Sequence, residues 1–163
     1  MNKKLDRKTR LQQSRRDVHN AYAYLGRFLS DCLDCRYKRY LREEDLMLDY
    51  QRILEDCFGC LSHDGRLQED LDLYCDKLLS HLKADFPHFS RKRLLVFSYT
   101  AAGLPVSLIC RLAEISCEGA VYTMRCLMKQ EIGVKASPWK EDYLAMLRHE
   151  QLPNWGRNAI FAR

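Results

Sequence analysis

Apolar residues recur every three or four positions along most of the chain, and no run alternates apolar and polar residues as a half-buried strand would. This pattern predicts an all-α protein, in which His63-Asp64-Gly65 and Pro87 break the helical periodicity. The predicted helices span residues 5–35, 43–61, 67 to about 84, 91–102, 105–114, 118–132 and 139–149.

The first predicted helix carries a heptad pattern. Leu11, Val18, Leu25 and Cys32 recur every seven residues, and Ala21, Phe28 and Cys35 occupy interleaved positions. Such a seam pairs either with a second copy of the chain or with the next helix of the same chain. We therefore expect residues 1–89 to form a region of long N-terminal helices, a coiled-coil-like hairpin or bundle used for dimerisation or signal relay.

The segment 91–132 has the order of elements of a helix-turn-helix. Ser90 suits the N-cap of its first helix. Gly103 can leave that helix in the left-handed conformation, after which Leu104 returns to the core and Pro105 opens the second helix. A tight turn and a third helix follow. The pattern predicts a C-terminal helix-turn-helix domain over residues 90–136, then a C-terminal helix and irregular tail over residues 137–163.

The third helix of this motif is the predicted recognition helix. It keeps Val121 and Met128 inward and turns a polar side outward. A helix fits the major groove, where its N-terminal half reaches the base edges. We predict base-edge contacts from Glu118, Tyr122, Thr123 and Cys126, contacts to bases or phosphates from Arg125 and Lys129, and phosphate contacts from Lys92, Arg93 and Lys135.

Charge is distributed unevenly along the chain. The net charge is +6 over residues 1–16, −6 over residues 17–90 and +5 over residues 91–163. Positive surfaces attract phosphates at long range. The distribution therefore favours a nucleic-acid partner for the C-terminal third of the chain.

The stretch GLPVSLICRLAEIS, together with VYTMRCLMKQEI, resembles the C-terminal helix-turn-helix of LuxR-type and sigma-factor region-four-like regulators. It resembles in particular a Bacteroidetes group in which a helical or coiled-coil segment precedes the motif. The segments 24–29 and 73–89 are similar to that helical region, so the resemblance covers residues 18–135 and is strongest over 91–132. The resemblance implies a DNA-binding regulator whose recognition helix carries Tyr122, Thr123 and Arg125.

Eight cysteines include two Cys-x-x-Cys pairs, Cys32/Cys35 and Cys57/Cys60, whose separation is close to that of a four-thiolate zinc site. Because the first pair falls in a continuous helical pattern and only Cys-Phe-Gly-Cys has any turn character, we favour cysteines that fill apolar space, with a zinc site or a redox dithiol as alternatives. We expect neither a metal nor a cofactor. Many free thiols are typical of a reducing compartment, and no apolar run suits a signal peptide or a membrane span, so we expect a cytoplasmic protein.

Together these patterns predict a transcriptional regulator that binds double-stranded DNA and forms a homodimer through its N-terminal helices. The alternative is a non-enzymatic interaction module, in which an acidic helical domain and a degenerate helix-turn-helix dock on a partner in transcription or signalling. An enzyme is the least favoured class, because the sequence has no Gly-rich phosphate loop and no recognisable catalytic motif.

Overall fold

The computed structural model describes the backbone of residues 2–34 and 44–148 and the side chains of residues 9–10, 12–27 and 51–148. Cys35 and the predicted irregular tail lie outside these residues. In the described residues every regular element is a helix, which confirms the all-α prediction. The helices are α1 (Asn2–Asp34), α2 (Glu44–Phe58), α3 (Arg66–Tyr74), α4 (Leu78–Asp85), α5 (Arg91–Ala101), α6 (Val106–Leu112), α7 (Glu118–Val134) and α8 (Lys140–Leu147).

One apolar core joins all eight helices. It extends from Val18 on α1 to Leu147 on α8, and its largest fully buried side chains include Tyr99, Tyr143 and Phe97. Burial of a large apolar side chain stabilises a fold by about 1.5–3 kcal/mol relative to exposure. No helix in the described part of the chain is both long and apolar enough to cross a membrane.

Helix α1 packs against its own chain. Val18 and Tyr22 are buried, and the principal partner of α1 is α3 rather than the adjacent α2. Near the end of α1, a Cβ at Gly26 would lie 3.1 Å from Cγ of Leu104, so the absence of a side chain lets α1 approach the turn that follows α5. In the described residues, the heptad seam therefore faces the chain's own core at Val18 and, partly, at Leu25.

The single helix predicted from residue 67 to about 84 is wrong, because the chain forms two helices there. Asp76 and Lys77 adopt left-handed backbone conformations with φ of 58° and 56°, and these break the helix after Tyr74. Asp72 then caps the start of α4, accepting hydrogen bonds from the Ser80 amide at 2.9 Å and the Ser80 hydroxyl at 2.6 Å. The bend lets Leu67 and Leu71 of α3 and Leu78, Leu79 and Leu82 of α4 enter one core, a tertiary gain that local periodicity does not reveal.

The boundaries around α5 follow the prediction closely. Ser90 is the N-cap, and its hydroxyl accepts a hydrogen bond from the Arg93 amide at 3.2 Å. Gly103 has φ of 72°, and Leu104 is buried as predicted. Farther along, α8 begins three residues after Ser137, whose hydroxyl accepts from the Trp139 amide at 3.2 Å.

Candidate nucleic-acid interface

Helix α7 is held from one side by the rest of the protein. Val121, Met128 and Ile132 are fully buried, and α7 packs on α5, α6 and α8. The turn before it is fixed by the Ile115 amide, which donates to the Cys110 carbonyl at 2.8 Å. Because three helices pack against one side of α7, the core fixes the direction in which its opposite side faces.

The opposite side of α7 is open over its first turns. Glu118, Tyr122, Thr123 and Cys126 are exposed, as predicted. At a helical rise of 1.5 Å per residue they span about 12 Å of the helix axis. Thr123 donates its hydroxyl proton to the Gly119 carbonyl at 3.0 Å, which leaves the Thr123 oxygen as an acceptor for a partner.

Arg125 is not on this open side, and the prediction that it lies outward is wrong. Only 3% of the residue is exposed. Its Nε donates to Oγ1 of Thr100 at 2.9 Å, and its guanidinium carbon lies 5.7 Å from the ring centre of Tyr122. Position 125 continues the helical spacing of the buried positions 121, 128 and 132, so the long apolar stem enters the interface with α5. Arg125 therefore positions α7 and is not itself available to a nucleic acid in this arrangement.

The three predicted phosphate anchors differ in their surroundings. Lys92 donates from Nζ to the Glu114 carbonyl at 2.9 Å, so it lies at the turn that precedes α7. Arg93 is paired with Glu131 at 2.8 Å, and His88 also contacts Glu131 at 2.6 Å. The hydrogen bond from His88, followed by the contact with Arg93, lowers the pKa of Glu131. The charge of Arg93 is consequently offset, whereas Lys92 remains well placed for a phosphate.

Lys135 lies at the far end of the candidate interface. Its amine donates to the Asp85 carbonyl and lies 5.0 Å from the ring centre of Phe86. Glu118 is 17 positions earlier, which corresponds to about 26 Å along a helix axis. Lys135 therefore does not join Lys92 at the turn before α7.

Two features of this surface escaped the sequence reasoning. Arg111, in the last turn of α6, is exposed close in sequence to the turn, and its position there follows the preference of cations for helix C-termini. Lys129, a predicted contact residue on α7, is half-buried rather than fully exposed. Leu127 and Val134 are 42% and 88% exposed, and their spacing of seven places them on one stripe of α7. The surface thus combines cations at the turn with a nearly neutral, partly apolar helix.

Among the residues whose side chains the structure describes, no group of three or more His, Cys, Asp or Glu residues could hold a metal ion. Cys57 is half-buried at the edge of the core, and burial raises its pKa. Cys57 therefore fills apolar space as favoured, whereas Cys60 lies beyond the end of α2 in a loop and is half-buried. The side chains of Cys32 and Cys35 lie outside the described residues.

Comparison of the chain with known protein families, curated proteins and solved structures finds no significant match. The candidate interface is therefore defined by its own geometry. It consists of the open side of α7 (Glu118, Tyr122, Thr123 and Cys126) and the cations Lys92, Arg111 and Lys129.

Proposed function

We propose that α5, α6 and α7 form a helix-turn-helix and that the chain is a DNA-binding transcriptional regulator. The observation that carries this proposal is the two-sided character of α7, whose inner side is fixed in the core while its outer side is open from Glu118 to Cys126. A B-DNA major groove about 12 Å wide admits one α-helix presented in this way. The proposed recognition helix is α7.

The residues of the candidate interface divide into two roles. The base edges, which specify sequence, are contacted by the hydroxyl groups of Tyr122 and Thr123 and by the thiol of Cys126. The Thr123 hydroxyl donates to the Gly119 carbonyl and therefore acts as an acceptor. The phosphate contacts come from Lys92, Arg111 and Lys129. With about 0.9 counterions released per phosphate contact, three contacts give a slope of about −2.7 in a plot of log affinity against log salt. Affinity then falls about forty-fold between 50 mM and 200 mM salt.

The test is fluorescence anisotropy of the full chain with a labelled duplex of mixed sequence across that salt range. Replacing Lys92, Arg111 or Lys129 by Ala should each weaken binding and reduce the slope by about 0.9. Arg52→Ala removes an exposed cation from α2 and should leave both quantities unchanged. An absence of binding at about 100 μM protein, the weak end of non-specific DNA affinity, contradicts the proposal. If the chain binds DNA, selection of bound sequences from random DNA would define the operator.

A second candidate function has its own observation. Leu127 and Val134 are exposed on one stripe of α7, and burial of Arg125 removes a cation from that helix surface. Exposed apolar residues of this kind suit a protein partner in transcription or signalling. Purified RNA polymerase and sigma factors should then bind the full chain, and the pair Leu127→Asp and Val134→Asp should abolish binding while Lys129→Ala retains it. Equal binding by both variants would exclude this surface.

A homodimer would place two copies of α7 in half-sites about 34 Å apart. Since Val18 is buried against the chain's own core, such a dimer has to use another surface of α1. Tyr24 is 70% exposed and lies on the side of α1 that the core leaves open. Sedimentation equilibrium of the full chain and of Tyr24→Asp tests this association: the variant should be monomeric, and a monomeric parent chain would remove the dimer from the proposal.

A further inference from the structure

The loop between α2 and α3 is held rigidly against α5. Gly59 opens it with φ of 79°, and the buried Tyr99 hydroxyl donates to the Gly59 carbonyl at 3.0 Å. The guanidinium of Arg91 donates to the Cys60 carbonyl at 3.0 Å and pairs with Asp64 at 2.6 Å. Because α5 fixes the backbone at both Gly59 and Cys60, side chains in this loop have defined relative positions.

Within this loop a thiol, an imidazole and a hydroxyl meet. The sulfur of Cys60 lies 3.0 Å from Nδ1 of His63 and 3.0 Å from the hydroxyl oxygen of Ser62. The Ser62 oxygen also lies 3.3 Å from Nδ1 of His63. The Cys60 amide donates to the His63 carbonyl at 2.9 Å, which closes the turn and keeps these side chains together. Ser62 and His63 are exposed and Cys60 is half-buried, so a dissolved reagent can reach the sulfur.

Charged groups surround this loop from three helices. Arg91 comes from α5 and Lys83 from α4, and both pair with Asp64 of the loop itself. Glu55 of α2 acts electrostatically on Tyr99, as do Cys60 and Asp64. The thiolate is the nucleophile in thiol–disulfide exchange, and a histidine nitrogen 3.0 Å from the sulfur is placed to accept the thiol proton.

The other described cysteines lack this arrangement. Burial raises the pKa of Cys75 to about 11, and burial also raises those of Cys57 and Cys110. Cys117 and Cys126 are exposed. Among the six cysteines whose side chains the structure describes, Cys60 is the one whose sulfur has a histidine nitrogen at hydrogen-bond distance.

We propose that Cys60, activated by His63, is a site of thiol–disulfide exchange with low-molecular-weight disulfides. The proton of the Cys60 thiol passes to Nδ1 of His63, and the sulfur attacks one sulfur of the disulfide. A bond forms between Cys60 and that sulfur as the disulfide bond of the reagent breaks, and His63 returns the proton to the leaving thiolate. Cys60 is oxidised to a mixed disulfide, and half of the reagent is reduced to a thiol.

The test incubates the full chain with glutathione disulfide, followed by acid quenching, alkylation of free thiols and peptide mass spectrometry. Cys60 should form its mixed disulfide about ten-fold faster than the exposed Cys117 and Cys126 of the same molecules. The ratio of the Cys60 rate to the Cys117 rate should rise as the pH falls from about 8.5 to about 6.5, because an imidazole keeps assisting ionisation there. A ratio near one, or one that falls with decreasing pH, overturns the proposal without any substitution.

His63→Gln retains a polar side chain but cannot carry the proton. It should lower the Cys60 rate to that of Cys117, whereas His88→Gln, which changes an exposed histidine elsewhere, should leave the ratio unchanged. Thermal unfolding of both variants establishes that the fold persists. An undiminished Cys60 rate in a folded His63→Gln protein overturns the assignment of His63.

Discussion

Arg125 on α7 donates a hydrogen bond from Nε to Oγ1 of Thr100 on α5, 2.9 Å away, and both residues are buried. A charged side chain is costly to bury unless hydrogen bonds replace its hydration. The bond therefore does more than join two helices. It favours one rotation of α7 about its axis, and that rotation turns Tyr122 and Cys126 outward.

Replacing Arg125 by Met keeps an unbranched stem but removes the charge and the bond to Thr100. The Thr100 hydroxyl then loses a buried donor, so we expect the free energy of unfolding to fall by about 1–3 kcal/mol. Arg111→Met, at an exposed position of α6, should change it by no more than about 0.5 kcal/mol. Urea denaturation measures both. Equal stability of the two variants would show that the buried bond does not hold α7 in place.

Much of the region from α5 to α7 was predictable from the sequence, because its signals are local. Ser90 caps the helix that it precedes, and Gly103 supplies a backbone conformation that other residues reach with strain. The inward positions of Val121 and Met128 follow from helical periodicity alone. These features depend on neighbours in sequence.

The errors arise where distant contacts override local preference. The sequence alone favours Arg125 as a surface cation, because its hydrogen-bond partner Thr100 is identified only by the structure. The sequence predicts helix at Asp76 and Lys77, since neither is a glycine and no proline or glycine adjoins them to indicate their left-handed conformations. The pairing of Cys60 with His63 depends likewise on contacts from α5 that shape the loop. For Arg125 and for the loop that carries Cys60, the decisive partner is many residues away in the sequence.

His19 makes the stability of the protein dependent on pH. Burial lowers the pKa of His19 below 6.5, although its ring hydrogen-bonds the Ala101 carbonyl, which acts in the opposite direction. Below about pH 6.5 the unfolded chain therefore binds a proton that the folded chain does not, and stability is lost as the pH falls. Unfolding free energies between about pH 7 and pH 5 should decline in the unmodified protein and decline less in His19→Gln. His88→Gln, at an exposed site, should retain the decline; identical slopes for all three proteins would contradict the prediction.

The variant Gly59→Ala tests the rigidity of the loop that carries Cys60. Its φ is 79°, and a Cβ there would lie 2.8 Å from the Gly65 backbone nitrogen and 2.8 Å from Oε1 of Gln68. Because strain and overlap add, Gly59→Ala should destabilise the fold by about 1–3 kcal/mol. Gly133→Ala, in open space on α7, should instead stabilise it by about 0.5–1 kcal/mol. Thermal or urea unfolding compares them; a neutral Gly59→Ala would mean that the loop relaxes freely.

Asp85 joins α4 to the segment that leads into α8. Its carboxylate accepts hydrogen bonds from Ser137 at 2.6 Å and from the Tyr143 hydroxyl at 2.8 Å. Partial burial opposes ionisation of Asp85, but these two hydrogen bonds and the charge of Lys135 outweigh it and lower its pKa. A lowered folded-state pKa means that this stabilisation is present above about pH 4 and is lost as the pH falls through the folded value.

Tyr143→Phe removes one donor while preserving the buried ring. We expect a loss of about 1 kcal/mol at neutral pH, since a hydrogen bond to a charged acceptor is removed from a partly exposed site. The difference between the two proteins should shrink as the pH falls from about 5 to about 2, because protonated Asp85 binds the hydroxyl less strongly. The stability difference between Ser137→Ala and the unmodified protein should shrink in acid in the same way. The difference for Thr123→Val should not, because the Thr123 hydroxyl bonds a backbone carbonyl and not a carboxylate. A difference for Tyr143→Phe that stays constant in acid would show that its hydroxyl does not act through the charge of Asp85.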